Sequence, residues 1–391
     1  MIEFFIAKKQ ILERKKQSLV SILGVLIGIT VLTVSIGISN GLDKNMINSI
    51  LSLTSHVTAI SYEPISNYEE LIKTIEDDSE IKNINGIIPT VEAQGLVKYK
   101  GEFSDFVSGA KLIGYDLEKA INYMNLDDKI ISGEINLENR KGILVGKELA
   151  GLAGMSVGDK LKLVTSENSD FEMEVMGIFE SGFYEYDANM IIMPLITAQY
   201  INYKGNTADK LTIRLDNAYM ASSVKEVLLR KYPDLFIYTW GEQNKALLSA
   251  LTLEKTIMII VFSLIVVIAG FLIWVTLNTL VREKTKDIGI LRSMGFSKKN
   301  VMLIFLIQGL ILGGIGIIVG VLLSIVLLWY IKNYTVNFIS SIYYIKSIPI
   351  EISLKEISTV VLANSFIILI SSIFPAYRAA KLENVEALRH E

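Results

Sequence analysis

Cysteine is absent from this 391-residue chain, and histidine occurs only twice, as His56 and His390. The first absence removes any disulfide framework and any thiol nucleophile. With two histidines and no thiolate, a zinc centre has too few ligands. Acidic pairs such as Asp77–Asp78 and Asp127–Asp128 read as solvated turns rather than cation ligands. Residues Gly154, Ser156 and Gly158 have the GxSxG spacing of a hydrolase elbow. That motif needs a strand before the serine and a helix after it, and here the patterns come in reverse order. A phosphate cradle is missing too. The nearest match, Gly142 to Glu148, is one residue short of a Walker A loop, and Glu148 stands where the magnesium-binding hydroxyl belongs. No catalytic residue, metal site, cofactor or nucleotide site is therefore expected in this chain.

Charge is missing from four long stretches: Ser18 to Leu42, Thr256 to Val281, Val301 to Ile331 and Ile357 to Tyr377, of 25, 26, 31 and 21 residues. At 1.5 Å per helical residue each can cross a hydrocarbon core of roughly 30 Å. Proton- or ion-coupled transport usually needs an ionisable group within the membrane, and these runs have none. The first run is too long for a signal-peptide core and has no small-residue cleavage site after Ile38, so it reads as a retained span.

What is present is unevenly spread. Residues 43–255 carry 32 acidic and 21 basic residues, a net charge of −11, and the rest of the chain is at +8. Short loops rich in Lys and Arg mark the cytoplasmic side. Lys8, Lys9, Arg14, Lys15 and Lys16 precede the first run. Arg282, Lys284, Lys286, Arg292, Lys298 and Lys299 lie between the second and third, and Arg378, Lys381 and Arg389 follow the fourth. The loop 332–356 balances three lysines against Glu351 and Glu356. Both termini and the loop 282–300 are thus expected in the cytoplasm, with the large domain outside.

The expected fold is an α-helical membrane protein with four transmembrane helices and a large mixed α/β extracytoplasmic domain between helices 1 and 2. Its parts are a cytoplasmic interfacial helix (1–17), span one (18–42), the α/β domain (43–255) and span two (256–281). A cytoplasmic coupling loop (282–300), span three (301–331), a short outer loop (332–356), span four (357–377) and a cytoplasmic tail (378–391) follow. In the domain, helices are expected over 67–80, 147–153, 221–231 and 240–253, and strands over 95–100, 143–145, 160–164, 172–179 and 210–215. The pairs Gly24–Gly28, Gly309–Gly313 and Gly316–Gly320 have GxxxG spacing, which serves packing within a bundle or a seam between copies. In the coupling loop, Ile288, Leu291 and Met294 recur at helical spacing and Gly295 follows as a stop. A small amphipathic helix between two spans is a docking element, and with no motor in the chain the motor is expected to be a separate subunit.

Residues 253–320, the stretches GIFESGFYEYDANMIIMPLITAQ (177–199), GKELAGLAGMSVGDKLKL (146–163) and WGEQNKALLSALTLEK (240–255), and the tail FPAYRAAKLENVEALRHE resemble one family. It is the membrane-spanning subunit of lipoprotein-releasing ABC transporters (the LolC/LolE type), within the MacB/FtsX-like permease superfamily. The resemblance implies a bacterial inner-membrane permease that extracts lipoproteins from the outer leaflet. It implies a homo- or heterodimer with a second permease subunit and two copies of a cytoplasmic ABC ATPase that binds ATP and magnesium. Partners would be these subunits, the lipoprotein and the membrane, with no nucleic acid. Asp287, Ile288, Leu291, Arg292, Met294 and Gly295 would form the ATPase-coupling helix. Ile36, Ser39, Leu253, Ile257, Met258 and Val261 would line the acyl-chain cavity. Where the carrier-recruiting member has a long hairpin loop, this chain has only Thr165 to Asp170, so a periplasmic lipoprotein carrier is an open partner. Two other readings stand beside this one: a MacB-like exporter of peptides or small amphiphiles, and an FtsX-like signalling permease that activates a cell-wall hydrolase.

Overall fold

In the computed structural model, residues 2–101, 105–166, 169–334 and 349–382 are described. His390, the end of the tail (383–391), residues 335–348 of the outer loop and residues 167–168 of the Thr165–Asp170 turn lie outside them. The chain divides into two compact units: Met1–Asp43 with Ala250–Glu391, and Lys44–Ser249.

In chain order the elements are α1 (Ile2–Glu13), α2 (Lys15–Leu53), β1 (Val57–Ile65), α3 (Tyr68–Glu76), β2 (Ile84–Lys100), β3 (Asp105–Tyr115), α4 (Leu117–Met124) and β4 (Ile130–Gly133). Next come β5 (Gly142–Gly146), α5 (Lys147–Ala153), β6 (Lys160–Thr165), β7 (Asp170–Phe179), α6 (Tyr184–Asn189), β8 (Met190–Pro194) and α7 (Leu195–Ile201). The rest are β9 (Ala208–Leu215), α8 (Ala221–Lys231), β10 (Phe236–Thr239), α9 (Trp240–Gln243), α10 (Lys245–Glu283), α11 (Thr285–Ser293), α12 (Lys298–Tyr334) and α13 (Leu354–Lys381).

In the first unit, α2, α10, α12 and α13 are the helices long and apolar enough to cross a membrane among the described residues. Their glycine pairs pack inside the unit. A Cβ on Gly309 or Gly313 would run into Ser372 or Ile368 of α13, and one on Gly316 or Gly320 into Val25 or the Leu26 carbonyl of α2. One on Gly24 would run into Leu272 of α10, and one on Gly28 would come into ordinary contact with Ile265 of the same helix. All three pairs therefore serve internal seams, where small residues let backbones approach. A hydrogen bond of 2.6 Å between Ser21 and Thr276 joins α2 to α10. Helix α1 is fastened by polar contacts as well as by Ala7 and Ile11: buried Gln308 donates to Gln10, and Lys284 pairs with Glu13 at 2.8 Å. Its Ile2, Phe4, Phe5 and Leu12 stay exposed, and with Lys8 and Lys9 they make an amphipathic surface suited to a membrane interface.

The second unit is a mixed α/β domain. Its ten strands run β10-β1-β9-β2-β3-β8-β5-β7-β4, and β6 pairs with both β2 and β7. That double pairing closes β2, β3, β8, β5, β7 and β6 into a ring. Leu112, Val145, Leu163, Val175 and Ile191 from these strands are buried in one cluster. Closing the ring removes sheet edges that would otherwise invite pairing with other chains. The 17-residue β2 serves two halves: Ile84–Thr90 pairs with β9, and Gly95–Lys98 with β6. Helices α3 and α8 cover the sheet with Ile72 and Ile75, and with Val224 and Leu228.

Two expectations differ from what is seen. The helix expected over 67–80 ends at Glu76. The one over 240–253 is broken: Thr239 and Glu242 form a capping box that starts α9, and Asn244 leaves helical geometry before α10 begins. The reciprocal cap satisfies the first amides of α9, and the helix restarts at Lys245.

Candidate functional site

A strongly apolar cavity of about 450 Å³ lies within the first unit, between α2, α10 and α13. Its walls are Leu32 and Ile36 from α2, Phe262 and Val266 from α10, and Val360 and Ile367 from α13. Polar groups gather at the end where Asn40, Lys255 and Glu356 lie. Asn40 Nδ2 donates to Glu356 Oε1 at 2.5 Å, and Glu356 Oε2 accepts from the Ser353 amide at 2.7 Å while capping α13. Lys255 pairs with the buried Asp43 at 2.8 Å. An apolar well under a charged rim matches an amphiphile with its chain inward and its polar group at the mouth.

Of the expected cavity residues, Ile36, Ser39 and Met258 line this space. Leu253, Ile257 and Val261 do not: they are exposed, Leu253 by 61%. The reason is helical periodicity. Positions 253, 257 and 261 recur every four residues and form one stripe of α10, whereas 255, 258, 262 and 266 form its neighbour. Helix α13 supplies the third wall, and sequence reasoning missed it because nothing in a uniform apolar run says which face meets which helix.

Of the residues expected to meet an ATPase, Asp287, Ile288, Leu291 and Arg292 sit on α11, and Met294 and Gly295 directly follow it. Gly295 has φ +97°, its amide donates to the Arg292 carbonyl and the Phe296 amide to the Leu291 carbonyl. This is a Schellman close, and it explains why glycine ends the helix there. Ile288 is only 2% exposed and packs in the unit's own core with Val281 and Val301. Ile290 and Met294 are exposed, by 52% and 74%, and Leu291 is half-buried. Asp287 pairs with Lys284 at 3.1 Å, and Arg292 donates to the Ala380 carbonyl at 3.3 Å. So the apolar set divides by function: Ile288 grips the helices behind, while Ile290 and Met294 face outward. A groove of about 340 Å³ runs between α1 and α11, lined by Phe5, Lys9, Ile290 and Leu291 among others.

In the second unit the last turn of α2 is held at its carbonyl end. Arg214 Nη1 donates to the Leu51 and Thr54 carbonyls, both at 2.6 Å, and the Tyr115 hydroxyl to that of Leu53 at 3.2 Å. Opposite, the Ser181–Gly182 turn abuts Ser49 and Ser52. Asp187 Oδ1 and Oδ2 fix that turn by accepting from the Ser181 and Gly182 amides. The motif GIFESGFYEYD therefore cradles a helix end. His56 lies beside it, its Nδ1 accepting from the Leu215 amide at 3.0 Å.

Burial, reinforced by the Arg214 charge, pushes the His56 imidazole down to about 4 from near 6.5. The folded state thus favours the neutral ring, and the unfolded chain takes up the proton first. The stability this provides is complete above about pH 6.5 and is lost as pH falls from there towards 4, by up to ~1.4 kcal/mol per unit. Thermal unfolding of the protein followed from pH 7 to 4.5 is expected to show that slope. His56→Asn, which keeps an acceptor and does not titrate, is expected to flatten it.

No group of His, Asp and Glu that could hold a metal ion occurs among the described residues. In comparison with known proteins, residues 18–230 match the family described as a MacB-like periplasmic core domain, and residues 259–383 the FtsX-like permease C-terminal family. The chain is similar to the lipoprotein-releasing system transmembrane protein LolC of Xylella fastidiosa, 27% identical over 96% of this chain and 94% of that protein. It is likewise similar to LolE of Haemophilus influenzae, 25% identical over 98% of each. Among solved structures, the periplasmic region of MacB from Actinobacillus actinomycetemcomitans aligns with 52% of this chain and 97% of that one, at 14% identity and a TM-score of 0.34.

Proposed function

Given that the chain belongs to the MacB/FtsX-like permease superfamily and is similar over its whole length to lipoprotein-releasing permeases, we propose that it is the membrane subunit of an ABC transporter that extracts lipoproteins from the outer leaflet of the inner membrane. The observation that carries this is the apolar cavity rimmed by Asn40, Lys255 and Glu356. Extraction removes acyl chains from lipid at about 0.8 kcal/mol per CH₂, so a sheltered apolar well and an outside energy source are both needed. The energy enters through α11, where one copy of a cytoplasmic ATPase subunit would seat against Ile290 and Met294 of each permease chain, two copies per dimer. The ATP and magnesium belong to that subunit, and this chain performs no catalysis. Ile288, buried behind the docking face, passes the push to the helices of its own unit. The exposed stripe Leu253, Ile257 and Val261 is free for a second permease subunit.

The excess of Lys and Arg near both termini and around α11 supports a cytoplasmic side for them, with the α/β domain in the periplasm. The β6–β7 connection is short, with the Thr165 amide donating to the Ser169 carbonyl at 3.2 Å. That supports a subunit without the carrier-binding hook. Native mass spectrometry of the complex purified in a lipid-like detergent tests the whole reading. A triacylated lipoprotein is expected to co-purify and to leave on ATP addition. A complex that carries no lipoprotein and moves a soluble peptide, or that retains a cell-wall hydrolase, would replace this function with export or signalling.

A further inference from the structure

The ring in the α/β domain leaves part of β3 outside it. Strand β8 pairs with Lys111–Tyr115 of β3, whereas β2 pairs with all of it, from Asp105 to Tyr115. Among the described residues, no strand lies along the other edge of Phe106–Ala110. Such an edge presents a row of backbone amides and carbonyls to any chain that can lie beside it. Proteins usually blunt their edges, and the two strands that end the sheet order are blunted here. β10 and β4 have four residues each, and β4 pairs with β7 through a register shift. The open half of β3 has none of these devices. It contains no proline or lysine, and its register with β2 is unbroken from end to end. Val107 is 58% exposed, and a Cβ at Gly109 would meet nothing within 4 Å.

The surface beside that edge is basic, in a domain that is acidic as a whole. Lys98 of β2 stands directly opposite Val107 of β3 on one side and Lys162 of β6 on the other. Like charges directly opposite each other in a sheet are destabilising. Neither lysine forms an ion pair among the described residues: Glu172 pairs with Lys160, and Glu92 with Lys111 and Lys210. A strand laid along β3 would lie two spacings of about 4.8 Å from β2. Gly109, diagonal to Lys98, has no side chain to block a lysine that reaches across. At the foot of the edge a cleft of about 560 Å³ opens, lined by Gly95, Ala110, Thr165 and Asn189 among others.

We propose that the Phe106–Ala110 edge of β3 binds an extended acidic segment of another polypeptide as an added strand, with Lys98 and Lys162 facing its carboxylates and the cleft taking one of its side chains. Main-chain hydrogen bonds supply the affinity, and the lysine pair supplies the preference. Charge selects this occupant over others. A second copy paired edge to edge would gather the lysines of both copies on one face. Residues 335–348 of this chain contain no Asp or Glu, and the tail beyond Lys381 is expected on the opposite side of the membrane. The site lies wholly within the α/β domain and uses no residue of the proposed transport path.

The full chain in nanodiscs is the material for the test. The probe is a synthetic heptapeptide that alternates valine with glutamate and carries a benzophenone at one end. Two comparison peptides replace glutamate by lysine, or keep glutamate and methylate every second backbone nitrogen, which removes the donors a strand ladder needs. Photo-adducts of the acidic peptide are expected on Phe106–Ala110, and the other two should bind about tenfold more weakly or worse. Gly109→Glu adds a like charge in open space, so the variant should fold as the parent does and weaken the acidic peptide about tenfold. Lys98→Glu with Lys162→Glu should reverse the preference towards the lysine peptide while binding stays sensitive to N-methylation. A purely structural lysine pair would not give that reversal. If the double variant misfolds, Lys98→Glu alone places opposite charges across from each other, should not lower the melting temperature, and should abolish the preference. Equal binding of the acidic and lysine peptides, indifference to N-methylation, or adducts away from β3 overturns the inference. Crosslinks between the β3 edges of two copies without peptide overturn it too, and assign the edge to a second copy.

Discussion

Ile290→Asp combined with Met294→Asp is expected to abolish ATP-driven release while the chain still folds and inserts. Both side chains are mostly exposed at the outer face of α11 and its cap, so the substitutions disturb little internal packing. At a docked interface they would bury two carboxylates in an apolar site, and an unpaired buried charge is strongly unfavourable. A central contact of this kind is worth about 2 kcal/mol or more, which is roughly 30-fold in affinity per position. Co-purification of the ATPase subunit and ATPase activity of the assembled complex are the measurements. Leu291→Asp should act in the same direction, but it also faces the groove beside Phe5 and Lys9, so its effect mixes docking with the seating of α1. Ile288→Ala separates the two steps. Ile288 is buried against Val281 and Val301, so the variant should keep the ATPase bound and lose release. Normal association in the double variant would show that α11 is not the docking element.

The part of this assignment that could be read from sequence is the part carried by long uniform signals. Four runs without charge became α2, α10, α12 and α13, because lipid-length apolar stretches leave a helix as the way to satisfy the backbone. The ends were harder. Helix α2 continues past Leu42 through Asp43 and Lys44 to Leu53, since a charge does not stop a helix once the chain has left the apolar layer. The strands that were missed have weak alternation. β8, MIIMP, is buried on both faces apart from its proline, so it shows no period of two. β1 carries Pro64, which argues against a strand unless an edge or an irregularity absorbs it, and its pairing with β9 does shift register between Ile60 and Ile65. Gly295 was legible because a stop after an amphipathic stretch has one common cause. Of the residues expected at an acyl-chain cavity, Ile36, Ser39 and Met258 line the pocket between α2, α10 and α13, whereas its Glu356, Val360 and Ala363 require knowing that α13 packs against α2 and α10.

The other large effect is expected from Arg214→Met, in the α/β domain and far in sequence from any lipid or ATPase contact. Burial lowers the guanidinium to about 10, so it stays charged at neutral pH, yet it costs the fold to keep it there. What compensates is its position: the side chain faces the last turn of α2, where carbonyls lack intrahelical partners and the helix dipole favours a cation. Nη1 donates to two of those carbonyls, and hydrogen bonds to a charged group are worth about 1.5–3 kcal/mol each. Met fills the space of the stem but leaves both carbonyls unserved, for a loss of roughly 3 kcal/mol. In a unit of this size that lowers the melting temperature by about 6–12 °C. Arg214→Lys should recover less than half, because the lysine side chain is one bond shorter and its ammonium stops short of the position that Nη1 holds. The same turn is where α2 enters the domain, which gives the variant a second readout. If the clamp only stabilises the domain, release measured well below the melting temperature will be normal; if it also transmits the motion of α2, release will fall at temperatures where the domain is still folded and ATP hydrolysis continues.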